Sequence, residues 1–332
     1  MRIATLVGSD GFAGDGRLVH VDDDWVTCRP AVARSLQDAL DRGGLTPDPD
    51  GVEQLFDPAR CTAPLPRAFG FLDGSAYLNH VELVRRARGI EMPDSFLTDP
   101  LMYQGCSMFE PPLAPICAAP EWGVDCEAEV AVITTFVPQG TPSEDAASHV
   151  AFVMLLNDVS LRHLIPDELA KGFGFVQSKP PSACSPVAVS PDALQGWDGR
   201  KLHGTLCIDI NDTPLGRVQT GEDMVFDFGD LIAHAAKTRD LPAGTVIGSG
   251  TASNRSPDGG PGKTLARGGA GYGCLVEQRV VETLESGAPA TPFLTPGDKV
   301  TIWMENKSGQ SLFGRIAQEV RPARQVKASS RL

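Results

Sequence analysis

The 332-residue chain is short of positive charge: 29 Lys and Arg against 42 Asp and Glu leave a formal net charge of −13. Phosphate backbones and anionic lipid surfaces call for Lys and Arg clustered on one face, so neither nucleic acid nor a membrane is expected as a partner. Long hydrophobic runs are missing as well. No stretch approaches the roughly 20 apolar residues that would span a bilayer, and the opening MRIATLVGSDGFAGDGR turns polar too early for a signal peptide. A cytoplasmic protein is the expectation. The eight cysteines, at 28, 61, 106, 117, 126, 184, 207 and 274, contain no C-x-x-C pair. That disfavours a zinc ribbon and a redox motif, and favours reduced, packing thiols.

Familiar catalytic signatures are absent too. The stretch GGPGKT at 259–264 resembles a phosphate loop, but the required earlier glycine is Pro257. No G-x-S-x-G elbow occurs, so a serine hydrolase has no support. There is no internal repeat and no alternation of strands with crossover helices.

What the chain does contain is 42% hydrophobic residues with only 21% charged, ample for a large core. Residues 1–20 read as two short strands joined by a Gly/Asp-rich turn. A short helix follows, with Pro30 in its first turn, Val32, Leu36, Ala39 and Leu40 on one face, and Gly43–Gly44 ending it. Pro and Asp punctuation then marks a boundary near residue 70. Beyond it, short β-runs are expected at 129–137, 151–156, 185–189, 203–211, 244–249, 274–282 and 298–305. Helices are expected after Thr141-Pro142, with Thr141 and Glu144 forming a capping box, and over 228–240. The pattern predicts a mixed-β, α+β protein with few helices and a barrel-like core. The glycine-rich stretch 252–273 is either disordered or a mobile lid over a site.

The chemistry concentrates in GVDCEAEVAVI, residues 123–133. In a strand, residues i and i+2 share a face about 6.6 Å apart, so Glu127 and Glu129 repel each other unless a cation lies between them or water solvates an edge strand. A third acid, Asp158, closes another apolar run, 29 positions after Glu129, and Arg162 follows it. Three oxygen donors without a nearby His or Cys pair describe a hard-cation site, Mg²⁺ first, with Mn²⁺ or Ca²⁺ as alternatives.

Five segments in this order, GVDCEAEVAVI, LLNDVSLR, GFVQSKPPSACSPVAV, LPAGTVIGSGT and LTPGDKVTIWM, resemble the hallmarks of the fumarylacetoacetate hydrolase family. The resemblance covers residues 71 to about 320. It implies a small N-terminal α+β domain over 1–70, as in a bacterial branch of that family, and a metal-binding catalytic β-roll over 71–325. It also implies a homodimer and hydrolysis of a carbon–carbon bond in a small anionic 1,3-dicarbonyl acid, of fumarylacetoacetate or acylpyruvate type, in aromatic or tyrosine catabolism. Oxaloacetate-type decarboxylation, isomerisation or dehydration of a 2-keto acid would reuse the same metal, and a non-catalytic ligand-binding relative is a further alternative.

By motif position the resemblance makes Glu127, Glu129 and Asp158 the metal ligands, with Asp99 in FLTDPLMY as a fourth. It gives Lys179 and Arg162 the oxyanion or the substrate carboxylate, and Tyr103 and Thr251 substrate contacts. For the base, His80 partly matches an N-Y-x-x-H-x-x-E segment, but the Glu position is Leu83, with Glu82 one place off. In the tyrosine-catabolic branch the base lies seven residues after the aspartate, which from Asp99 leads to Cys106, and its partner acid falls near Glu277. Either His80 pairs with an acid from elsewhere, such as Glu277, or the base is not a histidine.

Overall fold

A computed structural model describes residues 1–7, 15–42, 45–86, 89–306 and 308–324. Six α-helices lie among them: α1 (Leu36–Arg42), α2 (Leu78–Arg86), α3 (Ser143–Ala146), α4 (Ile165–Lys171), α5 (Phe228–Ala235) and α6 (Leu275–Ser286). None is long and apolar enough to cross a membrane.

Most of the remainder is sheet. An 11-stranded mixed sheet runs from the N-terminal strands through Arg2–Leu6, Val187–Val189, Val150–Asn157, Ala128–Thr134, Thr245–Gly248 and Gly70–Gly74 to Met102–Gln104. A 5-stranded sheet and a 2-stranded ribbon complete it, and no described sheet closes into a barrel. The strands of residues 1–55 belong to the same large sheet, because Ile3 pairs with Ala188 in antiparallel register. Strand Ala128–Thr134 is buried at every position. It lies between Val150–Asn157 and Thr245–Gly248, with Glu129 opposite Leu156. Covered on both faces, it reads as a continuous apolar run rather than an alternating one.

Several sequence expectations shift. Pro30 ends the strand Thr27–Pro30, and the helix begins only at Leu36; the turn after the first strand and Gly43–Gly44 lie outside the described residues. Thr141 does not cap α3: its hydroxyl donates to the Pro138 carbonyl at 2.7 Å, and the helix starts at Ser143. The capping box belongs instead to α5, where Asp227 and Asp230 bond each other's backbone N–H.

Residues 274–282, expected as a strand, lie largely in α6. Leu275, Glu277, Val280 and Val281 share its buried side, a helical spacing that its β-branched residues disguise. Strand Thr213–Gln219 escaped notice because Pro214 and Gly216 break its pattern. It is turned by Asn211 and Asp212, both at positive φ (51° and 61°), as a two-residue hairpin requires. The eight cysteines are free.

Candidate active site

The inner strands place their acids at one end of the large sheet. Asp73, next to last in Gly70–Gly74, stands opposite Gly248 in parallel register and opposite Tyr103 in antiparallel register. Glu129 comes from the neighbouring strand, and Asp158 immediately follows Val150–Asn157. The carboxylates of Asp73, Glu129 and Asp158 offer oxygens within 4.8 Å of one another, and all three residues are buried. Gly248 permits this approach: a Cβ there would lie 2.2 Å from the Asp73 Oδ1 and 3.1 Å from the Glu129 Oε2.

Among the described residues, neither carboxylate oxygen of Glu129 has a hydrogen-bond partner. Burial, with Asp73 and Asp158 close by, pushes its carboxyl well above the usual range. Burial and Asp158 likewise raise Asp73 to about 8. Three buried acids with two unpartnered oxygens are costly in themselves and suit a hard divalent cation, for which oxygen-only donors are the proper set.

Glu127 faces other partners. Its oxygens lie 2.7 Å from the Lys179 Nζ and 2.6 Å from the Arg162 Nη2. Burial alone would raise its pKa, but Lys179 and Arg162 outweigh that and hold it well below the carboxylate range. Lys179 also sits 2.5 Å from the Asp158 Oδ2, so its ammonium supplies positive charge between two buried acids. Asp158 accepts in addition from Ser182 at 2.6 Å and from the Tyr103 hydroxyl.

Facing this cluster is a dyad. The His80 Nδ1, on α2, is 2.8 Å from the Glu277 Oε1, on α6. A carboxylate cannot donate, so Nδ1–H donates to Glu277, and Nε2 is left as the basic nitrogen. Asp125 secures α6: its oxygens accept the N–H groups of Leu275 and Val276 at 2.8 and 3.0 Å and the Arg162 Nε at 2.8 Å. A carboxylate on a helix's first free N–H groups is favourable by charge and by hydrogen bonding.

Asp73, His80, Tyr103, Glu127, Arg162, Lys179 and Thr251 line one cavity of about 380 Å³. The Thr251 hydroxyl is buried there without a partner among the described residues. The structure thus brings together every residue proposed from the sequence except Asp99, whose carboxylate is exposed and lies 3.3 Å from the His234 Nδ1. In its stead stands Asp73, which the sequence reading missed. A signal is there in the sequence: Asp73 precedes His80 by seven positions, the same spacing that separates Asp99 from Cys106. Glu82, one place off the expected acid, pairs with Arg255 at 2.7 Å, while Leu83 is buried.

The stretch 252–273 does not roof the cavity, whose lining stops at Gly250 and Thr251. It is tied elsewhere. Asn254 bonds Gln219, the Tyr272 hydroxyl donates to Gly262, and Gly271 pairs with Gly216.

An uncharacterised protein of Pyrococcus abyssi is 26% identical over 162 residues, covering 48% of this chain and 69% of that protein. The fumarylacetoacetate hydrolase of Exiguobacterium antarcticum superposes with a TM-score of 0.64 at 17% identity, covering 97% of this chain and 99% of the other. A 5-carboxymethyl-2-hydroxymuconate delta-isomerase of Mycobacterium smegmatis gives 0.62 at 18% identity, covering 97% and 100%. At such identities the two structures establish likeness of fold. Residues 71–321 match the family model described as fumarylacetoacetate (FAA) hydrolase C-terminal, so the chain belongs to the fumarylacetoacetate hydrolase family.

Proposed function

We propose that the protein is a metal-dependent hydrolase that cleaves the carbon–carbon bond between the carbonyls of a 1,3-dioxo acid, of fumarylacetoacetate or acylpyruvate type. The observation that carries this reading is that His80, paired with Glu277, lines the same cavity as Asp73, a member of the acidic trio. Asp73, Glu129 and Asp158 would hold a divalent ion, Mg²⁺ by preference, with Glu127 as a fourth carboxylate of the cluster. When bound, such an ion polarises a chelated dioxo group as a Lewis acid and orients it.

The chain's own residues do the rest. His80 Nε2 accepts a proton from water as its oxygen adds to the carbonyl, while Glu277 holds the ring and stabilises the imidazolium that forms. Lys179 and Arg162 keep positive charge beside the developing oxyanion. Collapse breaks the bond, the electron pair leaves with the departing carbon, and the proton on His80 returns to that carbon. Two acids result. Tyr103 and Thr251 offer hydroxyls to the substrate.

A second reading, isomerisation, needs only proton transfer by the same dyad without addition of water, and structural neighbours include isomerases. Product analysis decides between them. Incubating the Mg²⁺-loaded protein with acetylpyruvate or fumarylacetoacetate should give two acids. Release of CO₂ from oxaloacetate with both dioxo acids untouched would refute the hydrolase assignment.

A further inference from the structure

The cavity is lined by two chemically different sets of residues. One set of lining side chains is Asp73, Glu127, Lys179 and His80; the other is apolar, Val81, Val84, Leu101, Met102, Leu169 and Phe175. Tyr103 joins them, its hydroxyl on Asp158 and its ring edge-on to Phe175 at 5.2 Å. Leu101 and Leu169 are 40% and 43% exposed, so apolar surface faces water at the mouth of an otherwise buried site. Such a patch is worth covering with a ligand.

Charge argues the same way. Three cations line the cavity, Arg85, Arg162 and Lys179. Arg162 and Lys179 are each already paired with two buried carboxylates. Arg85 has its Nε on the Glu91 carbonyl at 3.0 Å and its guanidinium over the Phe96 ring at 5.0 Å. Its contacts therefore lie on the connection after α2. A second carboxylate laid against Val81, Met102 and Phe175 would be desolvated by apolar side chains, with Arg85 already engaged by Glu91 and Phe96.

We infer that the preferred substrate carries one carboxylate, at the metal end, and an uncharged aliphatic or aryl tail along the Val81–Met102–Phe175 wall. Dicarboxylic acids of equal length are disfavoured. The inference takes its head group from the proposed function and adds the tail.

Binding tests it independently of turnover. Calorimetry on the full chain with saturating Mg²⁺ would compare 2-oxobutanoate, 2-oxohexanoate, 2-oxooctanoate and 2-oxoadipate. Affinity is expected to rise about threefold to fourfold per methylene along the first three. 2-Oxoadipate, with the length of 2-oxohexanoate but a terminal carboxylate, is expected to bind roughly tenfold more weakly. Leu169→Lys should narrow that gap, and Arg85→Gln should leave the ranking unchanged. Equal affinities along the series, binding of none of the four, or a preference for 2-oxoadipate that Arg85→Gln abolishes would overturn the inference. Ordered binding without cleavage of any dioxo acid would refute the hydrolase reading and leave the tail preference standing.

Discussion

Glu277 lies 2.8 Å from His80 although 197 positions separate them. The contact exists because α2 packs on α6 and because Asp125, inside the acidic motif, fixes the first turn of α6. One motif thus serves both clusters: Glu129 joins the acidic trio while Asp125 steadies the helix that carries the partner of His80.

His80→Ala should lower kcat by roughly 10²–10⁴ on a cleaved dioxo acid, the usual worth of a positioned base. Binding of Mg²⁺, measured by calorimetry, should survive, since His80 is not among the three clustered acids. A full rate in this variant would remove His80 from the mechanism while leaving the reaction class intact. Glu277→Gln should also lose activity, with folding retained by circular dichroism.

The metal set is tested by comparing acids. Chelator treatment should abolish activity, and Mg²⁺ or Mn²⁺ should restore it. Asp73→Asn and Glu129→Gln should each weaken divalent binding by on the order of 100-fold, at least as much as losing an outer partner of a ligand. Asp99→Asn should bind as the parent does, because its exposed carboxylate lies beside His234. Loss of binding in Asp99→Asn with retention in Asp73→Asn would reverse this assignment.

These residues show where the sequence was informative. Glu127, Glu129, Asp158, Arg162 and Lys179 sit in short motifs whose spacing fixes their faces, and the structure gathers them. Asp73 was harder because it stands in the five-residue strand Gly70–Gly74, with no acidic neighbour to mark it. Its place in the acidic trio appears only when the parallel strand Thr245–Gly248 brings Gly248 against it. Helix α6 was misread for another reason. Val276, Val280 and Val281 have strand propensity, and tertiary packing against α2 overrides it. The continuity of the N-terminal strands with the large sheet is likewise non-local, carried by the pairing of residues 2–4 with 187–189.

Lys179→Met should destabilise the chain strongly, by about 3–5 kcal/mol, because it strips the ammonium from two buried carboxylates. Thermal unfolding reads this directly. Saturating Mg²⁺ should recover part of the lost Tm, since a cation can replace the missing charge. If the variant melts like the parent without metal, Lys179 does not balance the charge of the acidic cluster.

The final prediction concerns how Lys179 is held. Glu168, on α4, accepts the backbone N–H groups of Val176, Gln177 and Ser178 at 2.9, 2.8 and 3.0 Å, together with the Ser178 hydroxyl at 2.5 Å. Lys179 is the next residue. Burial would raise the carboxyl, but the Ser178 hydroxyl and the three N–H groups lower it from 4.5 to about 2. A depressed carboxyl contributes stability that is fully present above the unfolded value and is lost as pH falls through the folded one. The contribution should therefore be constant from about pH 5 upward and decline between about 4.5 and 2. Glu168→Gln turns an amide donor toward N–H groups and should cost roughly 1–3 kcal/mol at pH 7. The Tm difference between parent and variant should then shrink as the pH is lowered from 5 towards 2. A gap that stays constant or widens over that interval would mean that the carboxylate charge of Glu168 does not hold this turn.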